Sequence, residues 1–241
     1  MALKFRRVLL KLSGEALKGD RAFGYEFESV RDIAERIKSA VDSGCEIAIV
    51  VGAGNIWRGA KGAADIDRVD ADYMGMLATV MNAICLANVL NACGISAIVQ
   101  SAVPMPPIAQ GYNRREAIAA LEAGKVVLFA AGTGSPFFTT DTTSALRALE
   151  MDCDALLKAT KVDGVYSADP FKNPDARRFS SVSYDDAMNM KLGVMDQTAF
   201  SLCRDNSMPI MVFDFSDPDS LENVINGDLS AGTIVGGEET F

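Results

Sequence analysis

A chain of 241 residues that is 49% hydrophobic and 23% charged carries enough apolar surface for a sizeable core, which excludes a disordered protein. Lys+Arg 23 against Asp+Glu 32 leaves a net charge of −9, which argues against general nucleic-acid binding and against anionic membranes, although a few local cations suffice to hold one anionic substrate. Histidine is absent, so Cys/His zinc sites, Ser-His-Asp triads and imidazole general bases are excluded together.

In chain order, the N-terminal run is basic and then apolar only over Val8-Leu9-Leu10 before Lys11 interrupts it, too short for a secretory h-region. Arg7 to Leu12 is predicted as a strand. Val30, Ile33, Ala34, Ile37 and Val41 follow helical spacing, with Gly44 as a stop, and Glu46 to Val51 is a second strand. Met74 to Ala92 is a long apolar helix before Gly94; no stretch approaches the ~20 apolar residues of a membrane span, and a cytoplasmic protein is expected. A strand Ser96 to Ser101, a helix Arg114 to Leu121, a strand Lys125 to Ala130, a helix Asp141 to Met151 and a strand Ala155 to Ala159 follow. A helix around Asp196 to Asp205, a strand Ile210 to Phe215, a short helix from Ser220 and a strand near Thr233 complete the series. Strands apolar on both faces, alternating with helices, predict one α/β domain over residues 1–241, its mainly parallel sheet covered by helices on both sides. Cys45, Cys85, Cys93, Cys153 and Cys203 are odd in number and form no C-x-x-C, and read as buried free thiols of a reducing cytosol.

Ligands of such sheets bind beyond the C-terminal strand ends. The corresponding loops are Ser13-Gly14, Gly52 to Gly59, Ser101 to Tyr112, Gly132 to Thr140 and Thr160 to Asp169, and most are rich in glycine, small hydroxyls or aspartate. They are expected to form an active site jointly. "GAGNIWRGAKG", Gly52 to Gly62, is neither a dinucleotide fingerprint, having Trp57 where a third glycine belongs, nor a P-loop, having Ala60 after Gly59. Lys11 lies inside an apolar strand, where it must either snorkel to the strand end or reach an anion; Ser13-Gly14 directly behind it favours the anion. Taken singly, Asp141 and Asp196 read as helix caps, and Asp163-Gly164 and Asp169-Pro170 as turns. Together with Lys11, Arg58, Lys158 and Lys161 they fit Mg2+-assisted phosphoryl transfer. An acceptor that is itself a phosphate is mostly dianionic at neutral pH and needs no general base, so the lack of histidine is no obstacle.

Four segments, "LLKLSGEAL" (Leu9 to Leu17), "MGMLATVMN" (Met74 to Asn82), "AGTGSPFFTTD" (Ala131 to Asp141) and "LKATKVDGVYSADP" (Leu157 to Pro170), resemble the bacterial UMP kinase (uridylate kinase) branch of the amino acid kinase family. The likeness runs in order from about Val8 to Thr233. It implies a mainly parallel central sheet between helix layers, with the acceptor held mainly by the N-terminal half and ATP by the C-terminal half. It implies transfer of the ATP γ-phosphate to UMP, giving UDP and ADP, with Mg2+, in de novo pyrimidine synthesis. It further implies a homohexamer activated by GTP and inhibited by UTP.

Carried over by position, Lys11, Leu12, Ser13 and Gly14 would contact ATP phosphates, and Ala53, Gly54 and Arg58 would sit between the two phosphate groups. Asp72 would bind the ribose side of UMP, with Thr133, Gly134, Ser135, Pro136, Phe137, Phe138, Thr139 and Thr140 enclosing it. Thr160, Tyr166 and Asp169 would hold the adenosine end of ATP. Lys158 would be a second phosphate lysine and Asp141 would orient the lysines; with Lys11 and Arg58 these form the implied catalytic set. No direct metal ligand is assigned, Mg2+ being carried by the nucleotide phosphates. Gly19, Asp20, Arg21, Ala22, Phe23 and Gly24 match a region tied to GTP activation. The sequence departs from the family at Ala53, which stands for a glycine and so must avoid positive φ, and at Trp57 and Tyr73. Phe137 and Phe138 would wall a uridine pocket or, alternatively, plug the sheet edge as core. An amino-acid or carbamate kinase of the same fold, and a non-catalytic nucleotide-binding homologue, are the other readings.

Overall fold

The computed structural model describes residues 4–58 and 65–236. The strands are β1 Arg7–Leu12, β2 Glu46–Val51, β3 Ala97–Ser101, β4 Gln110–Gly111, β5 Val126–Ala130, β6 Ala155–Thr160, β7 Ser181–Val182, β8 Ile210–Asp214 and β9 Gly232–Val235. They form one sheet in the order β4-β3-β5-β2-β1-β6-β8-β9-β7, parallel throughout except for the β8–β9 pair. The helices are α1 Phe27–Asp42, α2 Arg68–Ala92, α3 Arg114–Glu122, α4 Thr140–Glu150, α5 Tyr184–Asn189, α6 Gln197–Asp205 and α7 Ser220–Ile225.

Successive side chains of each strand feed opposite layers. Leu10, Leu12, Ile47, Ile49 and Leu128 pack with residues of α1, α2 and α7, while Leu9, Val50, Val127, Phe129 and Leu156 pack with residues of α3, α4, α5 and α6. Burial on both faces is why these strands read as continuous apolar runs rather than alternating ones. Each large side chain so buried contributes about 1.5–3 kcal/mol. In α1, Val30, Ile33, Ala34 and Ile37 form the buried stripe, and the chain turns at Gly44 with φ 94°, a conformation open to glycine.

The long helix differs from expectation at its start. Asp67 caps it, accepting from the Val69 N–H at 2.9 Å, so α2 begins at Arg68 and Asp72 lies within its second turn. By length and composition alone α2 is able to cross a membrane, with mean hydropathy 1.6 in its most apolar 18-residue window, which corrects the reading that no stretch approaches a span. Half of that window is buried inside the protein, where Ala83, Leu86, Ala87 and Leu90 pack in the core. The two-residue strands β4 and β7 and the short helix α5, capped by Ser183, are further additions to the predicted series.

From β1 the chain builds outward on one side through β2, β3, β4 and β5, then returns to the other side of β1 as β6. The order reverses between β1 and β6, which opens a crevice there. In that pair Lys11 lies directly opposite Lys158.

Candidate active site

Lys11 and Lys158 project on the same face as Leu9 and Leu156, toward the N-terminus of α4. Lys11 Nζ lies 3.0 Å from Asp141 Oδ1, and Lys158 Nζ 3.0 Å from Oδ2. Lys158 donates hydrogen bonds to Oδ2 and to the Val194 carbonyl. The Lys11 contact is one of charge without hydrogen-bond geometry, and Oδ1 has no hydrogen-bond partner. All three side chains are about 15% exposed (13%, 15% and 16%), so water screens them little. Burial raises the pKa of Asp141, but Lys11 and Lys158 outweigh it and hold the carboxyl below its ordinary value. Burial pushes the Lys158 ammonium down and Lys11 adds to this, against the opposing pull of Asp141. Two ammonium groups and one carboxylate leave a net positive spot in the crevice, suited to phosphate oxygens.

Asp141 is not a cap. Thr139 caps α4, its hydroxyl accepting from the Asp141 and Thr142 N–H groups at 3.0 and 3.3 Å, and this leaves the Asp141 carboxylate to the lysines. Asp196 does cap α6, accepting from the Ala199 N–H at 3.0 Å, and also receives the hydroxyls of Thr139 and Thr142. It therefore ties α6 to the start of α4.

Beyond β1, Ser13 opens a 3-10 turn over Gly14–Lys18. A Cβ on Gly14 would stand 2.3 Å from the Gly52 carbonyl oxygen and 2.8 Å from the Gly54 nitrogen, so the loops after β1 and β2 meet backbone to backbone, and only glycine fits. Ala53 is not among the residues of positive φ, and its methyl is accommodated. Arg58 is not brought to the lysines. Its guanidinium pairs with Glu15 at 2.7 Å and donates to the Gly54 carbonyl at 3.3 Å, at the exposed lip of the loop. Gly59 to Gly62 lie outside the described residues.

On one side of the lysines a cavity of about 220 Å³ is lined by Ala53, Gly54, Trp57, Asp72, Thr133, Phe138, Thr139 and Thr140. Gly134, Ser135, Pro136 and Phe137 do not line it. Phe137 points outward at 65% exposure and Phe138 is half-exposed on the cavity wall, so neither ring is core. The loop after β5 is left-handed at Ala131 (φ 61°), Gly132 (59°), Gly134 (80°) and Phe137 (71°), strained for alanine and phenylalanine. Two contacts hold it: Ala131 N–H donates to Thr79 Oγ1 at 2.9 Å, and Phe137 N–H to Asp72 Oδ2 at 2.7 Å. Arg68 donates to the same Asp72 oxygen at 2.9 Å and covers the Phe137 ring at 5.3 Å. Sequence reasoning missed Arg68, whose polar surroundings give no periodic signal.

On the other side, a cleft of about 340 Å³ is lined by Lys158, Thr160, Tyr166 and Asp169, and by the segment Met190 to Val194. Thr160 donates to the Val162 carbonyl at 2.6 Å, Tyr166 to Asp163 at 2.6 Å, and Asp169 pairs with Lys172 at 3.1 Å. The Met190 to Val194 wall was also missed; Gly193 just ahead of the Asp196 cap was its one signal. The Gly19 to Gly24 loop sits behind the β2 loop, where Gly24 N–H donates to the Asn55 carbonyl at 2.8 Å. Among the described residues no three His, Cys, Asp or Glu side chains are arranged to hold a metal. All five cysteines are free, and burial pushes Cys45 and Cys203 up to about 12.

The sequence pattern of the amino acid kinase family matches residues 6–214. The structure is similar to that of UMP kinase from Bacillus anthracis, with 39% identity, TM-score 0.92 and 96% of each chain covered. It is similar to UMP kinase from Ureaplasma parvum at 36% identity and TM-score 0.90, covering 95% of this chain and 98% of the other. It is also similar to uridylate kinase from Archaeoglobus fulgidus at 28% identity and TM-score 0.73, covering 95% and 99%.

Proposed function

The chain belongs to the amino acid kinase family, and on that premise we propose that this phosphotransferase is a UMP kinase, passing the ATP γ-phosphate to UMP to give UDP and ADP in pyrimidine nucleotide synthesis. One observation carries the reading: Lys11, Asp141 and Lys158 form a buried charge cluster where the sheet order reverses, with a cavity on either side. The cavity containing Asp72 and Phe138 takes UMP, and the cleft containing Thr160, Tyr166 and Asp169 takes the adenosine end of ATP. Gly14, Ala53 and Gly54 line the path between them, and Lys11 and Lys158 neutralise charge on the transferring phosphoryl group. Arg58 reaches phosphate by leaving Glu15. Mg2+ supplies further charge neutralisation when it enters with ATP. Both Asp141 oxygens face lysines, so this donor set fits a cation carried by phosphate oxygens rather than one caged by carboxylates.

The enzyme works in the cytoplasm as a homohexamer, activated by GTP through the Gly19 to Gly24 region and inhibited by UTP. The test is ADP release with UMP, CMP, dUMP, aspartate, glutamate and carbamate as acceptors. UMP should be preferred strongly over CMP, because a site arranged for one hydrogen-bond pattern leaves its polar groups unpaired with the other. Turnover with an amino acid or carbamate instead, or none with any acceptor, overturns the proposal.

A further inference from the structure

Two buried asparagines stand outside the roles described so far. Asn82, on α2, is 0% exposed and Asn55, in the loop after β2, is 2% exposed. Asn82 Nδ2 donates to Asn55 Oδ1 and to the Gly52 carbonyl, each at 2.7 Å. Asn55 Nδ2 donates back to Asn82 Oδ1 and to the Gly24 carbonyl, each at 3.0 Å. Both amide groups thus use both N–H donors and their oxygen, a closed network with no orphaned atom. Between the two anchored points lie Ala53 and Gly54, whose N–H groups have no hydrogen-bond partner in the protein among the described residues.

An apolar pair of the same size would fill this space but would strip the Gly52 and Gly24 carbonyls of these donors. What the amides add is direction: the Gly52 carbonyl is drawn back to α2 and Asn55 is locked on both sides, which fixes the backbone between them. We propose that Asn55 and Asn82 are positioning residues that hold the Ala53 and Gly54 amides in register for the phosphate chain. This rests on the reading of the crevice as a phosphoryl-transfer site. Neither residue touches substrate; each acts through the loop.

The expected consequence is specific to phosphate. In Asn82→Ala, which frees the Gly52 carbonyl, kcat should fall by about 10²-fold, the scale of a ~1 Å misplacement. ATP affinity should fall with it, while adenosine, which lacks phosphates, should bind as in the unchanged protein. Asn55→Ala leaves the Asn82–Gly52 bond in place and should lose less on each measure. Circular dichroism at the assay temperature confirms folding, and if Asn82→Ala is unfolded there, Asn55→Ala is judged by the same ATP-to-adenosine ratio. A folded variant whose kcat and ATP-to-adenosine ratio stay within twofold of the unchanged protein overturns the proposal, as does an equal loss of ATP and adenosine. The binding ratio does not require UMP as acceptor, so the inference fails or stands separately from the UMP assignment.

Discussion

Asp141 facing two lysines sets how the crevice responds to mutation and to pH. In Lys11→Met the carboxylate keeps its hydrogen bond from Lys158, and methionine preserves the apolar stem, so the fold should survive. Loss of one preorganised cation should lower kcat by roughly 10²–10³. Thermal midpoint and kcat measured together check this; unchanged kcat would remove Lys11 from the mechanism. In Asp141→Asn, Lys158 loses the carboxylate that does most to pull its depressed pKa back up, so the alkaline fall of kcat/KM should move to lower pH. The stability signs are separate. A folded Asp141 pKa below 3.8 gives a contribution that is complete above that value and fades as pH falls through the folded pKa. Denaturation from pH 7 down to 3 should therefore show the gap between the two proteins closing at the acid end. Lys11 was legible in sequence because a cation inside an apolar strand demands a partner. That Asp141 would orient the lysines came from the family resemblance and not from the residue pattern, because a helix-start aspartate looks the same whether it caps or reaches outward.

Elements with strong periodicity were legible, and those shaped by single contacts were not. The apolar length of α2 was evident, but its first turn, Arg68 to Ala71, has no periodic signal and depends on the Asp67 cap. The next turn shapes the cavity lined by Asp72 and Phe138, since Asp72 holds Phe137 at positive φ. Asp72→Asn keeps an acceptor for that N–H but loses the charge facing Arg68, and with UMP in this cavity, as proposed, should raise KM for UMP more than KM for ATP. Initial-rate kinetics decide this, and a larger rise for ATP would reassign the cavity. On its outer face α2 exposes Tyr73, Met74, Leu77 and Met81, an apolar row that a helix on a sheet does not need. Light scattering at micromolar concentration should find an oligomer, and Leu77→Glu with Met81→Glu should dissociate it; a monomer before mutation would show that the row has another purpose. The two-residue strands β4 and β7 carry too few side chains for any period to register.

At the scale of the molecule, the parallel sheet and the importance of its strand-end loops followed from alternating apolar runs. Which loops meet did not, because that depends on strand order, and strand order is not written in any local pattern. The Met190 to Val194 wall joins Lys158 only because β6 and α6 are brought together across unpredicted elements. The strand order has a genetic consequence. Every strand on one side of β1 precedes residue 131 and every strand on the other follows residue 154. The cavity with Asp72 is lined by residues between 53 and 140, and the cleft with Tyr166 by residues between 158 and 212. Each pocket is therefore inherited as one uninterrupted stretch of coding sequence, and a single recombination near α4 exchanges one without cutting the other. A chimera taking residues 1–140 from a relative with a different acceptor should change acceptor preference while leaving KM for ATP within a few-fold. Steady-state kinetics on both substrates would show whether this lineage was free to acquire new acceptors by a single crossover.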